Sequence, residues 1–243
     1  MLPPKGLAEA GHQPNYLPWL GFFEKMQLCD IFIIEDNVQL EKQGFIVRNR
    51  IKTQEGARWL TVPIRHIGGP ISINQAKIAS DSNGYWGKKH WSTIRHSYGG
   101  SPFWEKYSGF FEETYSREWE RLIDLNMHII KGMMKFLGIE KPLVLASDLA
   151  ASGDGSELII NQCKALGGNI HISGTGGRNY LDLKRFEDEG IKVLFQEFEY
   201  PVYKQLHGPY IPNLSAIDYL FCVGNRDWRR PETHSARDEQ TDT

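Results

Sequence analysis

The stretch CDIFIIEDNVQ, residues 29–39, contains four consecutive β-branched or aromatic residues at positions 31–34 and then becomes polar at Glu35 and Asp36. A short, continuous apolar run of this kind is typical of a strand that is buried on both faces in a parallel sheet. The preceding run has apolar residues near helical spacing after a proline-rich opening, which predicts a helix over residues 18–28. The polar residues would then emerge at the carboxyl end of the strand, where a site is expected.

The chain outside this stretch alternates between strand and helix patterns. Residues 59–64 (WLTVPI) predict a strand in the middle of the sheet, and residues 71–79 a weaker one. Three helices are expected near 87–96, 102–116 and 118–137, a fourth over 156–166, a strand over 169–174, and then helix, strand and helix within 184–190, 191–198 and 215–224. This order predicts a Rossmann-like α/β fold, with a mostly parallel sheet, flanking helices and a helical subdomain.

The same patterns suggest a division of the chain into segments. Residues 1–10 are poor in β-forming residues and are expected to be an N-terminal extension. Residues 11–84 and 141–226 would form the two parts of the α/β domain, with a helical subdomain over 85–140. Residues 227–243 lack an apolar anchor, which predicts a disordered tail.

Composition excludes several classes of protein. The 243 residues include 28 Lys and Arg against 30 Asp and Glu, so the basic surface of a dedicated nucleic-acid binder is missing. The three cysteines form no CxxC pair, which argues against a disulfide framework or structural zinc. No apolar run approaches the length of a membrane span, so a soluble cytoplasmic protein is expected. Hydrolase, metalloprotease, P-loop and nicotinamide motifs are absent, and neither flavin nor NAD is expected.

The first polar constellation is HQPNYLPWLGFFEK, residues 12–25, in which prolines stiffen a loop just before a helix. A helix N-terminus offers free N–H groups and a positive dipole end to an anion. His12 is a candidate catalytic residue, and Gln13, Pro14, Tyr16 and Lys25 are candidate cofactor-binding residues. The structural alternative is that the prolines only shape a turn and that His12 is a hydrogen-bonded part of it.

Other polar residues follow the buried strand or lie further along the chain. Carboxylate, amide and cationic groups within 35–53 could position a sugar or a nucleotide diphosphate. Within residues 35–53 the predicted catalytic residue is Asp36, and the predicted substrate-binding residues are Asn37, Gln39, Lys42, Arg48 and Asn49. Further along the chain, the predicted substrate-binding residues are Lys89, His90 and Gln205. The alternatives are a solvated charged connection for residues 35–53, and helix capping or ion pairing for Lys89 and His90. His90 and His96 are six residues apart and off one helical face, so no metal site is expected.

A resemblance to the WbqC-like family of bacterial proteins is carried by HQPNYLPWLGFFEK, DNVQLEKQGFIVRNRIKT and WLTVPI. The resemblance also covers KKHWSTIRHSYGGSPFW, ISGTGGRNYLD and LSAIDYLF, and it extends over residues 11–225. It implies a cytoplasmic role in building or decorating surface polysaccharides such as O antigen, and it indicates a pathway rather than a reaction. Relatives usually open with a short apolar strand before HQP, from which LPPKGLAEAG departs.

A second resemblance concerns mechanism. Residues 11–25, followed by Cys29 and Asp30, are similar to the first strand, loop and helix of the HIGH nucleotidyltransferase superfamily, which includes pantothenate synthetase. The two phosphate-binding histidines of that superfamily are replaced here by Tyr16 and Trp19. The run ISGTGGRNYL is similar to the pantothenate synthetase loop that closes over ATP phosphates. That similarity implies cofactor contacts from Ser173, Thr175 and Asn179, with Arg178 as a catalytic cation. Gly174 and Gly176 could bring backbone N–H groups close to a phosphate, and the alternative is an ordinary glycine-rich turn between a strand and a helix.

We therefore expect a nucleotide-dependent transferase or an amide-forming ligase that modifies an amino sugar or a nucleotide sugar. ATP or a nucleotide sugar would be the cosubstrate, with Mg²⁺ needed only if ATP is used. His12 or Asp36 would be the general base, and positioning and charge stabilisation would supply most of the catalysis. The alternative is a non-catalytic protein that binds nucleotide sugars or acts as a scaffold in the same pathway. A homo-oligomer is compatible with either function.

Overall fold

A computed structural model describes residues 6–65, 68–79 and 85–228. Its centre is a parallel sheet of five strands with helices around it, a Rossmann-like α/β fold as predicted. The strands are β1 (Ala8–His12), β2 (Ile31–Ile34), β5 (Leu143–Leu145), β6 (Ile170–Ser173) and β7 (Lys192–Phe195). They lie in the order β5-β2-β1-β6-β7.

The order of the strands reverses beside β1. The chain leaves β1, crosses through α1 (Leu20–Leu28) to β2, and continues outward to β5, whereas β6 and β7 lie on the other side of β1. In open α/β sheets such a reversal leaves a crevice outside the carboxyl ends of the strands, where ligands bind. The predicted buried strand over residues 31–34 is confirmed, since it pairs with β1 on one edge and with β5 on the other.

In the described ranges, six further α-helices surround the sheet. They are α2 (Tyr85–Tyr98), α3 (Trp104–Ser116), α4 (Leu122–Leu137), α5 (Gly155–Ala165), α6 (Leu183–Asp188) and α7 (Ala216–Val223). The three helices predicted between residues 87 and 137 are confirmed. The longest, α4, buries nine side chains and ends at Gly138, whose φ of 67° forms a left-handed cap. None of the helices in the described ranges is long and apolar enough to cross a membrane.

The prediction that residues 59–64 lie in the middle of the sheet is wrong. They belong in part to β4 (Gly56–Thr61), which pairs antiparallel with β3 (Arg48–Thr53) in a separate two-stranded sheet. Only two residues connect these strands, and a connection this short cannot make the crossover that parallel pairing needs. The weak strand predicted over residues 71–79 is also wrong, because this segment holds a 3₁₀ turn at Ile73–Gln75 and only isolated bridges.

Both ends of the chain differ from the simplest expectation. Residues 8–10, assigned to an N-terminal extension, belong to the central strand β1, which pairs with β2 and β6. Pairing on two edges outweighs the low β-propensity of AEAG. At the other end, Trp228 is buried against Tyr219, while residues 229–243 of the predicted tail lie outside the described residues. The division into domains otherwise stays a prediction.

Candidate active site

A cleft of about 990 Å³ opens at the carboxyl edge of the sheet, where the strand order reverses. His12 and Gln13 line it from the end of β1, Ser173 from the end of β6, and Gln196 from just beyond β7. The start of α5 adds Gly155 to the wall. The cleft therefore occupies the position at which this class of fold binds its ligands.

The loop between β1 and α1 is held from outside by two buried amides. Asn126 donates from Nδ2 to the carbonyl oxygens of Pro14 and Ile46, at 2.8 Å each. Asn49, fully buried, donates to the carbonyl of Leu17 at 2.6 Å. Leu17 has a φ of 46°, a strained conformation for a leucine, which these contacts help to maintain. Asn49, a predicted substrate ligand, thus fixes the loop and does not line the cleft.

His12 is oriented as a neutral base. Its Nδ1 lies 2.9 Å from the carbonyl oxygen of Gln13, and because a carbonyl only accepts, Nδ1 carries the proton. The ring packs edge-on against Phe22. Burial, and then the charge of Lys25, lowers the pKa of His12 to about 4. At neutral pH the ring is therefore uncharged, and Nε2 keeps its lone pair.

Lys25, Glu35 and His171 line the cleft, and Glu9 is buried behind His171; we call these four residues the polar floor. Lys25 donates from Nζ to the carbonyl of Gly11 at 2.7 Å, and burial lowers the pKa of Lys25 to about 8 despite the nearby carboxylates of Glu9 and Glu35. Burial raises the pKa of Glu35, which lines the cleft. Charged groups placed this deeply are concentrated at functional sites in proteins.

Two details of the floor explain why its residues have these identities. A Cβ on Gly11 would lie 2.5 Å from Oε1 of Glu35, so only glycine leaves room for that carboxylate. Glu9 and His171 are register partners on β1 and β6, and Nδ1 of the histidine lies 2.6 Å from the carboxylate. Neither member of this pair was predicted from the sequence. A charged side chain inside a strand of a buried parallel sheet was the available signal.

Only the first part of the glycine-rich loop after β6 lines the cleft. Ser173, Gly174, Thr175 and Gly176 line the cleft, as the sequence suggested. The segment Thr175–Asn179 is a short 3₁₀ helix, and neither Arg178 nor Asn179 belongs to the cleft wall. Instead, the guanidinium of Arg178 lies 4.2 Å from the centre of the Phe195 ring and 3.8 Å from a carboxylate oxygen of Glu197.

Asp36, the other proposed base, also lies outside the cleft wall. Its carboxylate is buried and accepts from the backbone N–H and hydroxyl of Ser147, at 2.9 and 2.7 Å, and from Asn74 at 3.3 Å. These bonds tie the end of β2 to the segment after β5. Glu35, one residue earlier, faces the cleft in its place. The predicted substrate ligands beyond Asp36, namely Asn37, Gln39 and Lys42, are exposed and do not line the cleft.

The remaining predicted residues lie in structural networks or on the surface. Tyr16 is fully buried, and its hydroxyl meets Nδ1 of His90 at 2.8 Å. Gln205 accepts from the buried amine of Lys52 at 3.1 Å and bonds the backbone of Ile211. None of these side chains reaches the cleft, and the same is true of Pro14, Arg48 and Lys89.

An aromatic wall is the part of the cleft that the sequence analysis overlooked. The rings of Trp19 and Tyr200 stack with centroids 5.6 Å apart, and Phe198 meets Trp19 edge-on at 5.2 Å. Phe45, Tyr180 and Arg50 also line the cleft. The run FEY at residues 198–200, shortly after β7, was the available signal. Within the residues described, no group of three or more His, Cys, Asp or Glu side chains is arranged to hold a metal ion.

Comparison with known proteins identifies the family. The chain is 30% identical over 214 residues to the uncharacterized protein Rv1507c of Mycobacterium tuberculosis (strain ATCC 25618 / H37Rv), an alignment that covers 87% of this chain and 92% of the relative. No solved structure gives a significant match. The family model described as "WbqC-like protein family" matches residues 13–230. Since that match takes in most of the sequence, the chain belongs to the WbqC-like protein family.

Proposed function

We propose that the protein is a nucleotide-dependent transferase or amide-forming ligase that modifies an amino sugar or a nucleotide sugar in surface-polysaccharide biosynthesis. The observation that carries this proposal is the neutral, oriented His12 at the end of β1, in a cleft that also holds a glycine-rich loop. A base placed beside a loop able to approach phosphate suits the transfer of a group away from a phosphate.

The cleft offers different surfaces to the parts of a nucleotide. The aromatic wall of Trp19, Phe198 and Tyr200 would take a flat ring, because such side chains present large apolar faces. The loop from Ser173 to Gly176 would bring backbone N–H groups close to phosphate oxygens. ATP, with Mg²⁺, and nucleotide sugars are therefore the candidate cosubstrates in the cytoplasm.

In the proposed reaction His12 accepts a proton through Nε2. The incoming amine or hydroxyl forms its bond to the transferred group while the bond from that group to the phosphate leaving group breaks. The proton of the nucleophile passes to His12, and the leaving group departs with the electron pair. Glu35, rather than Asp36, would be the second acid or base, because its partly buried carboxyl lines the same cleft.

The resemblance to the HIGH superfamily supports this proposal only in outline. Tyr16 is buried away from the cleft, and Trp19 contributes an aromatic face, so neither would replace a phosphate-binding histidine. The position of Arg178 outside the cleft wall favours the second candidate function, a protein that binds nucleotide sugars without turnover.

Turnover distinguishes the two functions. We would incubate the protein with ATP and Mg²⁺, and separately with UDP-, GDP- or dTDP-sugars, with and without amino acids as acyl donors, and follow products by ³¹P NMR and mass spectrometry. An enzyme should lose about a hundredfold or more of its rate in His12→Ala and in Glu35→Gln. His96→Ala, on the exposed surface of α2, is the control. Saturable binding without product from any pairing would refute the enzyme and favour the binding protein.

A further inference from the structure

The outer face of the β3–β4 hairpin carries two arginines on one tryptophan. Arg50 and Trp59 are direct partners across the antiparallel pair, so their side chains leave the same face, and Arg48 lies two residues away on that face. The guanidinium carbons of Arg48 and Arg50 lie 4.5 and 5.6 Å from the centre of the Trp59 ring. We call Arg48, Arg50 and Trp59 the arginine–tryptophan face.

No carboxylate of the described residues forms an ion pair with the arginines of this face, Arg48 and Arg50. Arg50 donates from Nη2 to the carbonyl of Asn213 at 3.2 Å, and the Nε groups of both arginines are enclosed without an acceptor. The enclosed Nε groups cannot reach a ligand, but among the described residues the terminal Nη groups of the two arginines make only the bond to Asn213. Two guanidinium groups held on one ring, with Nη donors available, are suited to an anion with several oxygens.

The face is continuous with the cleft. Arg50 lines the cleft itself, as do Phe45 and Tyr200. Burial raises the pKa of Tyr200, and the positive charge of Arg50 partly opposes that rise, which shows that Arg50 lies close enough to interact with the aromatic wall. The rings of Phe45 and Trp59 lie 5.9 Å apart and are 48% and 41% exposed, which leaves apolar surface at the mouth of the cleft.

We propose that the arginine–tryptophan face binds the diphosphate of a nucleoside-diphosphate-linked sugar. The proposal rests on the proposed function for the position of the sugar, whose reacting end would extend into the cleft toward His12. A diphosphate presents oxygens that two guanidinium groups bind in pairs, and the tryptophan fixes both groups before the ligand arrives. Phe45, beside the face, would contact the sugar or the base.

The test is a calorimetric titration with inorganic pyrophosphate and with UDP-N-acetylglucosamine. We expect Arg48→Gln and Arg50→Gln each to weaken both affinities about tenfold or more, because each removes charge-assisted hydrogen bonds. Arg48→Lys and Arg50→Lys keep the charge and should weaken binding less. Arg58→Gln is the matched control, since Arg58 pairs with Ile51 and leaves the opposite face of the same hairpin. It should change either affinity less than about twofold.

The two ligands separate this proposal from the proposed function. Pyrophosphate binding that is lost in the arginine variants would support the face even if no nucleotide sugar bound or reacted. Binding of UDP-N-acetylglucosamine that is unchanged in Arg48→Gln and Arg50→Gln would overturn the face and leave the proposed function standing. Absence of pyrophosphate binding to the unaltered protein would also overturn the face. The lysine variants keep a positive charge beside Trp59, so comparing them with the glutamine variants separates the loss of charge from a general disturbance of the hairpin.

Discussion

Asn126→Ala should loosen the loop that carries the cleft. The side chain is fully buried, and its Nδ2 donates to the carbonyls of Pro14 and Ile46, at 2.8 Å each, so the substitution leaves two enclosed carbonyls without this donor. A buried group that loses its partner costs about 1–3 kcal/mol. The Oδ1 atom of Asn126 accepts no hydrogen bond from the described residues, so its removal offsets part of the loss. We expect the free energy of unfolding to fall by about 2–4 kcal/mol.

Urea unfolding followed by circular dichroism at 25 °C measures this change, and the slope against urea should stay constant if both states keep their compactness. Asn161→Ala is the control, because that side chain makes a single exposed bond of the same kind, to the carbonyl of Ser152 at 2.8 Å. It should cost less than about 1 kcal/mol. Equal losses in the two variants would refute the reasoning that Asn126 fixes the loop.

Three further predictions concern Gly11, His12 and Tyr98. Gly11→Ala should displace the carboxylate of Glu35, which would otherwise lie 2.5 Å from the new Cβ. When both effects are expressed as free energies, the loss of turnover rate in steady-state kinetics should exceed the loss of stability in urea unfolding. Burial lowers the pKa of His12 from 6.5 to about 4. Between these two pH values the unfolded chain binds a proton on His12 that the folded chain does not, so the free energy of unfolding should decrease as the pH falls from 6.5 to about 4. Urea titrations at several pH values should show a less steep decrease in His12→Gln. Tyr98→Phe removes a 2.8 Å bond to the buried carboxylate of Asp218 and should cost about 1–3 kcal/mol in the same assay.

Much of the fold follows from local patterns. The apolar run over residues 31–34 predicts a strand buried on both faces, and the structure pairs it on both edges. The helices after residue 85 follow from their periodicity. Strand β1 could not be predicted in the same way, because AEAGH is stabilised by pairing with two neighbours rather than by its own propensity. The middle of the sheet was misplaced because a pattern of β-forming residues does not specify the partner strand.

The site was harder to predict than the fold, because neighbouring side chains point in different directions and a shift of one residue decides which of them faces the cleft. Successive residues of an extended segment point to opposite sides, so Glu35 reaches the cleft and Asp36 does not. In the glycine-rich loop the 3₁₀ winding places Gly177 in the wall and leaves Arg178 outside it. His12 was recognised because it begins a dense polar loop, stiffened by prolines, just before a helix, and this pattern is visible in the sequence.

Binding of a nucleotide in the cleft is tested most directly by calorimetric titration of the protein with ATP, with and without Mg²⁺, and with UDP-, GDP- and dTDP-sugars. The titration is repeated with Gly174→Trp and Gly100→Trp. A Cβ meets no atom within 4 Å at either position, but only Gly174 lines the cleft. We expect saturable binding of at least one nucleotide that is lost in Gly174→Trp and retained in Gly100→Trp. No binding by the unaltered protein, or equal binding by both variants, would contradict a nucleotide site in this cleft.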